Sequence, residues 1–420
     1  MTRSRIWHPF TQHGSAPAEI SVARAEGARL ITDTGRTIID AISSWWVITH
    51  GHGHPRIVRA IREQAQKLEQ VIFAGFTHGP AERLAQNLLA RAPSSLKHAF
   101  FSDSGSTAVE VAVKMAVGAW HNRGKPRHRI IAMEHAYHGD MFGAMSVGHR
   151  GVFNAAWDPM LFEVSFIPFP ESGAGQRTLD ALESLLRRDA DRFAAAIFEP
   201  LVLGAGGMKM YPPAVLERIA QICRHYGVWL ILDEVMTGFG RTGSLFACEQ
   251  AKVAPDLMCL SKGLTGGFLP MGVTLASAEI YDAFYSDDRA QTFFHSSSYT
   301  GNAIACAAAV ANLEIWDSEP VMAGITSIAR QHATALEKLA RRRQVAGVRQ
   351  TGTIAAVELK AGDSGYLAQL GPKLNAFYLE HDVLLRPLGN VIYVLPPYCT
   401  SAAELMRVYG VIDESLALAG

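Results

Sequence analysis

Several features that define other classes of protein are missing from this sequence of 420 residues. It has no apolar run of the roughly 20 residues that a membrane-spanning helix needs, so we expect no membrane contact. Lysine plus arginine and aspartate plus glutamate both number 39, which excludes the basic surface of a nucleic-acid-binding protein. The N-terminal stretch MTRSRIWHPFTQHG has no apolar signal region. We therefore predict a cytoplasmic protein that binds neither membranes nor nucleic acid.

Paired cysteines are missing as well. The 5 cysteines are scattered and include no CxxC pair, which predicts a reduced protein without a disulfide framework. His50, His52 and His54 alternate in a way that can bind zinc, but two glycines separate them and a proline follows. This pattern favours a polar turn, and we predict no metal site.

What the sequence does contain is a series of short apolar segments that alternate with helical patterns between residues 97 and 280. Most of these segments are apolar throughout, which is typical of parallel strands covered by helices on both faces. The predicted strands are 98–102, 129–134, 162–169, 194–200, 228–235, 257–262 and 272–277. The alternation predicts an α/β fold with a mostly parallel, doubly wound sheet.

The length of the chain allows two or three domains. We predict that a large domain at 55–315 contains the sheet. Residues 1–54 and 316–420 are predicted to form a smaller α+β domain together, because the tail has short strands and a last helix from about residue 402.

An acidic residue and a lysine lie at the ends of two neighbouring predicted strands. Asp233 follows VWLIL, Lys262 follows LMCLS, and a predicted helix at about 244–252 connects the strands. Because the carboxyl ends of such strands meet at one edge of the sheet, we expect both side chains to face the same crevice.

The chemistry of pyridoxal phosphate uses such a pair. The cofactor forms a Schiff base with a lysine, and a carboxylate keeps its pyridine nitrogen protonated so that the ring withdraws electrons from the substrate. The released lysine can then transfer protons. A salt bridge that closes a strand end is the alternative explanation of the pair taken alone.

Two further segments supply groups that this cofactor needs. SDSGSTAVEVAVKMA predicts a turn and the start of a helix, where backbone N–H groups bind a phosphate, with Gly105 and Ser106 as candidates. Tyr137 follows a predicted strand and is a candidate for covering the ring face. An ordinary serine cap and a tyrosine buried in a turn are the alternatives.

The segment GFGRTG at 238–243 matches the GxGxxG pattern of dinucleotide-binding proteins. Its first glycine lies five residues after Asp233, too far from the strand to form the tight turn that this pattern requires. We therefore do not interpret the segment as a nucleotide site.

Residues 199–267 resemble the class III, fold-type I pyridoxal phosphate aminotransferases. The resemblance is carried by EPLVLGAGGMKMYPP, LILDEVMTGFGRTG and LSKGLTGG. Within this class, WHPFTQ, SSWW and LRPLGNVIYVLPPY resemble the subfamily that converts 8-amino-7-oxononanoate to 7,8-diaminononanoate in biotin synthesis. The resemblance extends over about residues 5–415. It implies a ping-pong reaction in which an amino donor and a keto acid acceptor use the same site in turn.

The resemblance also implies roles for the candidate residues. Lys262 would bind the cofactor covalently, and Asp233 would pair with the pyridinium nitrogen. Gly105 and Ser106 would hold the phosphate, and Tyr137 would stack near the ring.

A homodimer with shared active sites is a further implication. In the family the partner subunit supplies a second phosphate contact, which corresponds to Ser297 and Ser298 of FFHSSSYTGN. Ser296 takes the position of a backbone contact to the substrate.

On the substrate side, Trp45 and Trp46 resemble the apolar wall of the family. Arg386 resembles its carboxylate anchor, because a guanidinium binds a carboxylate bidentately. Phe10 stands where the family often has a tyrosine, so that hydroxyl is absent. Arg241 is expected to support the site rather than touch the substrate.

The amino donor stays open at this point. The paired tryptophans favour S-adenosylmethionine, whereas GGFLPMGVTL resembles relatives that use lysine. Another class III ω-amino acid or diamine aminotransferase and an aminomutase with a single substrate are the remaining alternatives.

Overall fold

The computed structural model describes residues 5–171, 175–362 and 365–419. The strands, in chain order, are β1 (Val22–Glu26), β2 (Arg29–Thr32), β3 (Thr37–Asp40), β4 (Leu96–Ser102), β5 (Arg129–Met133), β6 (Ser165–Ile167), β7 (Phe193–Phe198), β8 (Val202–Leu203), β9 (Lys209–Met210), β10 (Trp229–Asp233), β11 (Leu257–Leu260), β12 (Gly272–Ser277), β13 (Val345–Thr351), β14 (Ile354–Leu359), β15 (Val383–Leu384) and β16 (Val391–Val394).

The helices alternate with these strands through the middle of the chain. They are α1 (Ser43–Trp46), α2 (Pro55–Ala65), α3 (Gly79–Arg91), α4 (Gly105–Asn122), α5 (Phe142–Val147), α6 (Gln176–Asp189), α7 (Pro213–His225), α8 (Ala278–Asp282), α9 (Ala303–Ser318), α10 (Val321–Leu339), α11 (Leu370–Glu380) and α12 (Ala402–Ser415). Within the described ranges, every helix is too short or too polar to span a bilayer.

A seven-stranded sheet forms the centre of the molecule, in the order β4-β12-β11-β10-β7-β5-β6. The neighbours from β11 to β6 are parallel, and β12 alone in this sheet runs against its neighbours β4 and β11. The prediction of a mostly parallel, doubly wound α/β sheet is therefore confirmed.

The sheet is buried on both faces, which explains why its strands are apolar throughout. Successive residues of β10 belong to different cores: Ile231 packs in the same cluster as Val109 of α4, whereas Leu230 and Leu232 belong to the other cluster. This alternation follows from the strand period of two. Helices cover both faces, so the carboxyl edge of the sheet is left as the place for a site.

Two smaller sheets contain the strands near the ends of the chain, and one of them joins the two ends. In the first, β15 near residue 383 pairs in parallel with β3 near residue 39. In the second, β13, β14 and β16 pair antiparallel. The domain boundaries at residues 54 and 315 remain predictions.

The predicted helix at 244–252 is wrong. The connection from β10 to β11 consists of turns, with one short 3₁₀ helix at Ala247–Glu249. Gly240 and Gly243, which precede the predicted helix, have φ angles of +96° and +100°, a backbone conformation that favours glycine. Lys252 at its other end has a φ angle of +52°, so a right-handed helix cannot continue through either end of the segment. At Gly240 a Cβ atom would also lie 2.6 Å from the Trp316 ring.

Candidate active site

A cavity of about 580 Å³ lies at the carboxyl ends of β10 and β11, the strands that carry the predicted acid and lysine. Residues from distant parts of the chain line it. The predicted site residues in its wall are Phe10, Trp45, Trp46, Gly105, Ser106, Tyr137, Asp233, Lys262 and Arg386.

Asp233 is the last residue of β10, and its side chain is held in place at the closed end of the cavity. Its Oδ1 accepts a hydrogen bond from the N–H of Val235 at 3.1 Å. Its Oδ2 lies 2.7 Å from Nδ1 of His138, and both residues are buried. Because an ionised carboxylate can only accept, Nδ1 of His138 carries the proton.

His138 is a site residue that the sequence did not predict. Its Nε2 is buried and has no hydrogen-bond partner among the described residues. The neighbouring Tyr137 in AYHGD was singled out, but a histidine beside it gives no pattern of its own. A protein group that orients the carboxylate is nevertheless what a pyridinium-binding aspartate needs.

Lys262 follows β11 and opens the 3₁₀ helix Lys262–Thr265 in a left-handed conformation, with φ at +42°. Its Nζ lies 4.9 Å from the centre of the Trp46 ring, also in the cavity wall. Burial lowers the pKa of the Lys262 ammonium group, although the charges of Asp233 and Glu199 oppose the shift. A lowered pKa increases the fraction of neutral amine, which is the nucleophilic form.

Glu199 is a second carboxylate in the cavity wall that was not predicted. Its Oε1 accepts from the N–H of Tyr137 and its Oε2 from the N–H of Gly204, both at 3.0 Å. Burial raises the pKa of Glu199 to about 7. Glu199 follows directly after β7, so the strand-end argument that identified Asp233 could also have identified it.

The start of α4 forms an anion-binding end beside these groups. Ser104 caps the helix, since its Oγ accepts from the N–H of Thr107 at 3.2 Å and its own N–H donates to Thr107 Oγ1 at 2.8 Å. Gly105 and Ser106 follow this cap and line the cavity. First-turn N–H groups have no acceptor within their helix, and the helix dipole favours an anion there.

The close packing of this turn requires glycine. A Cβ atom on Gly105 would lie 2.6 Å from a methyl group of Val235. Ser106 is also held in place, because its Oγ accepts from the N–H of Met141 at 3.0 Å. The anion-binding turn, the buried carboxylate and the buried lysine meet in one cavity, so the residues present fit pyridoxal phosphate.

Tyr137 lies half-buried in the cavity wall, between the helix start and Glu199. Burial and the nearby Asp140 carboxylate raise the pKa of its phenol far above the ordinary value. The hydroxyl therefore stays protonated at neutral pH and can donate a hydrogen bond into the cavity.

The mouth of the cavity is aromatic and carries one arginine. The Phe10 ring lies 5.6 Å from the Trp45 ring. The Arg386 guanidinium lies over Trp45, 5.3 Å from the centre of its ring. One Nη of Arg386 donates to the carbonyl of Phe10 at 3.1 Å. Deeper in, Trp46 Nε1 donates to the Tyr393 hydroxyl at 3.0 Å.

Arg241 lies outside the cavity wall and is almost completely buried. Its two Nη atoms donate to three backbone carbonyls: Ile48 at 2.8 Å, Pro396 at 3.0 Å and Trp46 at 3.2 Å. These contacts fix the segment that carries the paired tryptophans.

Ser296, Ser297 and Ser298 lie outside this cavity. They form a turn with Thr300, whose Oγ1 accepts from the N–H of Ser297 at 3.0 Å. A single chain therefore does not bring the three serines to Lys262, and their predicted roles depend on a second subunit.

The alternating histidines contact three different partners. His52 Nε2 lies 2.8 Å from an Asp40 carboxylate oxygen, and His54 Nε2 lies 3.3 Å from Glu319. His50 packs against the Trp316 ring at 5.7 Å, and burial lowers its pKa to about 3. The His50 and His54 rings also meet edge to face at 6.0 Å, so the three side chains are used in structural contacts.

A buried lysine opposite a buried carboxylate at the carboxyl edge of this sheet is the arrangement of a pyridoxal phosphate-dependent enzyme. Residues 10–416 match the family model of the class-III aminotransferases, and the chain belongs to this family. The predictions of an aminotransferase and of pyridoxal phosphate as its cofactor are thereby confirmed.

Two relatives within this family carry the same enzyme name. The chain is 50% identical to an adenosylmethionine-8-amino-7-oxononanoate aminotransferase of Synechococcus elongatus, with 98% of both chains covered. It is 36% identical to the enzyme of that name from Geobacter sulfurreducens, over 99% of this chain and 96% of the relative.

Solved structures of aminotransferases also superpose closely on this chain. The enzyme of that name from Methanocaldococcus jannaschii superposes with a TM-score of 0.94 at 34% identity, covering 98% of this chain and 97% of the other. A pyridoxal phosphate-bound amine transaminase from an uncultivated Pseudomonas species superposes with a TM-score of 0.91 at 30% identity, with both chains fully covered.

Proposed function

We propose that the protein transfers an amino group to the 7-oxo carbon of 8-amino-7-oxononanoate and forms 7,8-diaminononanoate, with S-adenosylmethionine as the amino donor. One observation supports this most strongly: a single cavity has Lys262 and Asp233 at its closed end and Arg386 at its aromatic mouth. The relatives that carry this enzyme name extend over almost the whole chain.

The cofactor would be held by residues at the closed end. Lys262 would bind it covalently, Asp233 would pair with its pyridinium nitrogen, and Gly105 and Ser106 would bind its phosphate. Tyr137 would lie near the ring. When bound, pyridoxal phosphate accepts electrons from the substrate carbon that loses a proton.

The protein groups supply the proton transfers. Burial lowers the pKa of Lys262, so its amine can take a proton from the substrate carbon and return one later. His138 holds Asp233 by a 2.7 Å contact and keeps the carboxylate pointing in one direction. Since the carboxylate and the imidazole are buried, water competes little for their contact.

The mouth would select the keto acid. Its aliphatic chain would lie along Trp45 and Phe10, with Trp46 as the inner wall. Arg386 would bind the terminal carboxylate, because the contact with the Phe10 carbonyl uses only one of its donors. Phe10 adds apolar surface but no hydroxyl, so Arg386 carries more of the carboxylate recognition here.

We also propose a homodimer. Ser297 and Ser298 would contact the cofactor phosphate of the partner's site, and Ser296 would lie near the substrate of that site. These roles are consistent with the position of the three serines outside the cavity of their own chain. The cytoplasmic location remains a prediction from the sequence.

The proposal is tested in two separated steps. The purified holoenzyme is incubated with S-adenosylmethionine, the donor is removed by gel filtration, and 8-amino-7-oxononanoate is added alone. A ping-pong enzyme then forms about one equivalent of 7,8-diaminononanoate per active site, measured by mass spectrometry. Lys262→Ala is the control and should form none.

Lysine is the second candidate donor, because GGFLPMGVTL at 266–275 resembles lysine-using relatives. The same experiment with lysine in the first step decides between the two donors. Amination of ω-keto acids without amination of 8-amino-7-oxononanoate would contradict the proposal and favour another class III activity.

A further inference from the structure

A second chamber adjoins the active-site cavity. It has a volume of about 640 Å³ and extends beyond the Tyr137 side of the cavity. The two spaces share part of their wall, including Tyr137, Phe153, Tyr366 and Leu388. The shared residues place this space directly beside the active-site cavity, and it is defined here as the Tyr137 chamber.

Both cationic side chains in the described wall of the Tyr137 chamber face carboxylates, and Asp140 adds a third carboxylate to the wall. Arg349 Nη1 lies 2.7 Å from Glu358, and its Nε donates to the Met208 carbonyl at 2.7 Å. Lys209 Nζ lies 3.9 Å from Glu171. In the described part of the wall both cations are thus paired with carboxylates, which disfavours a phosphate or a carboxylate group as the occupant.

The wall of the chamber is rich in flat rings. The His135 ring lies 5.2 Å from the His149 ring and 6.3 Å from the Phe169 ring. Burial, reinforced by the charges of Lys209 and His149, lowers the pKa of His135, so its imidazole is neutral at physiological pH. Neutral imidazoles offer a flat face together with a donor and an acceptor nitrogen.

We propose that the Tyr137 chamber binds the nucleoside part of the amino donor. A purine nucleoside is uncharged, flat and rich in hydrogen-bonding groups, which matches the paired cations and the imidazole and phenyl rings of the wall. The inference rests on the proposed function, because it takes S-adenosylmethionine as the donor. Lysine has no group of this kind.

The geometry also explains how one lysine serves two unlike substrates. The keto acid chain would leave Lys262 towards Arg386 at the aromatic mouth, whereas the adenosyl group would leave it towards His135 and His149. The space of about 580 Å³ around Lys262 also has to contain the cofactor, so a nucleoside-bearing donor needs the adjoining volume.

Adenosine is the probe for this site, since it has the nucleoside but no transferable amino-acid group. With the wild-type holoenzyme, we expect adenosine to inhibit competitively against S-adenosylmethionine and uncompetitively against 8-amino-7-oxononanoate. This pattern means that adenosine binds the same enzyme form as the donor. Absence of inhibition, or competition with the keto acid, overturns the inference.

A substitution in the wall tests the position. His149→Trp fills part of the chamber without touching the active-site cavity, whose wall does not include His149. We expect the KM for S-adenosylmethionine and the inhibition constant of adenosine to rise at least about fivefold, as for loss of a stacked base. The KM for the keto acid should change less than about twofold, well below one such contact.

Met406→Trp is the matched control, because Met406 is exposed on α12 outside both spaces. It should leave all three constants unchanged. If wild-type protein uses S-adenosylmethionine but His149→Trp affects donor and acceptor equally, the inference fails and the proposed function stands. If wild-type protein does not aminate the keto acid with any donor, the proposed function itself fails.

Discussion

The two ends of the active-site cavity are built in different ways. At the closed end, Asp233 is 4% exposed, and its oxygens are bound by a backbone N–H and by the buried His138. At the mouth, Phe10 is 44% exposed and Trp45 is 43% exposed, and their contacts are ring faces. The closed end is polar and buried, whereas the mouth is apolar and exposed to solvent.

The two ends of the cavity also differ in where their residues lie in the sequence. Glu199, Asp233 and Lys262 lie at or just after the ends of strands in one sheet, so the sheet itself sets their spacing. Phe10 and Arg386 come from opposite ends of the sequence. Under the proposed function, the sheet would hold the reacting groups in place, and segments from the two ends of the chain would select the substrate.

The largest effect is expected at the closed end. Asp233→Asn keeps the volume and removes the charge, and we expect kcat to fall about 10²- to 10³-fold, as for loss of one preorganised electrostatic contact. The KM for the keto acid should change little. Steady-state kinetics of the holoenzyme measures both.

His138→Asn is the companion variant. It leaves the Asp233 charge in place but removes the imidazole contact, so kcat should fall less than in Asp233→Asn. An equal loss would mean that the pair acts as one unit, and an unchanged kcat in Asp233→Asn would contradict the assigned role of the carboxylate.

The second prediction concerns pH. Burial raises the pKa of Glu199 from 4.5 to about 7, so the folded protein holds more protons than the unfolded chain between these values. The contribution of Glu199 to the free energy of unfolding is therefore full below pH 4.5 and is lost as the pH rises through 7. It amounts to about 3 kcal/mol.

Glu199→Gln should flatten the pH dependence of unfolding in the cofactor-free protein between pH 4.5 and 7. Glu234, whose pKa burial also raises to about 7, keeps part of the slope. Glu337→Gln on the surface of α10 is the control and should leave the slope unchanged. Denaturant titrations at several pH values measure it, and a wild-type slope in Glu199→Gln would refute the burial argument.

The third prediction concerns Arg386 at the mouth of the cavity. Arg386→Met removes a charge-assisted contact worth about 1.5–3 kcal/mol, so the KM for the keto acid should rise about 10- to 100-fold. The kcat should stay within about threefold, because uniform binding is lost and not transition-state binding. Arg386→Lys should recover only part of the affinity. A large fall in kcat instead would place Arg386 in the chemistry and break the comparison.

The smallest effect is expected from Phe10→Tyr, which adds a hydroxyl near Arg386. A new hydrogen bond contributes about 0.5–1.5 kcal/mol, so the KM for the keto acid should fall about two- to tenfold. Phe10→Leu, which keeps an apolar side chain but removes the ring contact with Trp45, is the control. A higher KM in Phe10→Tyr would mean that the substrate chain, and not its carboxylate, meets this ring.

The closed end was the more predictable of the two. Asp233 and Lys262 could be identified because parallel strands place their carboxyl ends at one edge, and Glu199 follows the same rule. His138 could not be identified, since its contact depends on how the loop after β5 folds back. Ser297 could not be placed from one chain, because its proposed contact is with a second subunit.

The residues at the mouth could be predicted only from the family resemblance. Nothing in the periodicity of the sequence links Trp45 to Arg386, which are joined only when the small sheets form. The helix predicted at 244–252 is wrong for a local reason, since left-handed residues at 243 and 252 bound the segment on both sides and a periodicity argument does not detect them.

The hydrogen bonds of Arg241 connect parts of the chain that are synthesised at different times. Arg241 is 1% exposed, and its two Nη atoms make these hydrogen bonds only when the carbonyls of Trp46 and Ile48 meet that of Pro396. During translation, the lysine and the carboxylate leave the ribosome long before Pro396 does. The nascent chain thus contains its reactive residues before it can close the tryptophan segment around Arg241.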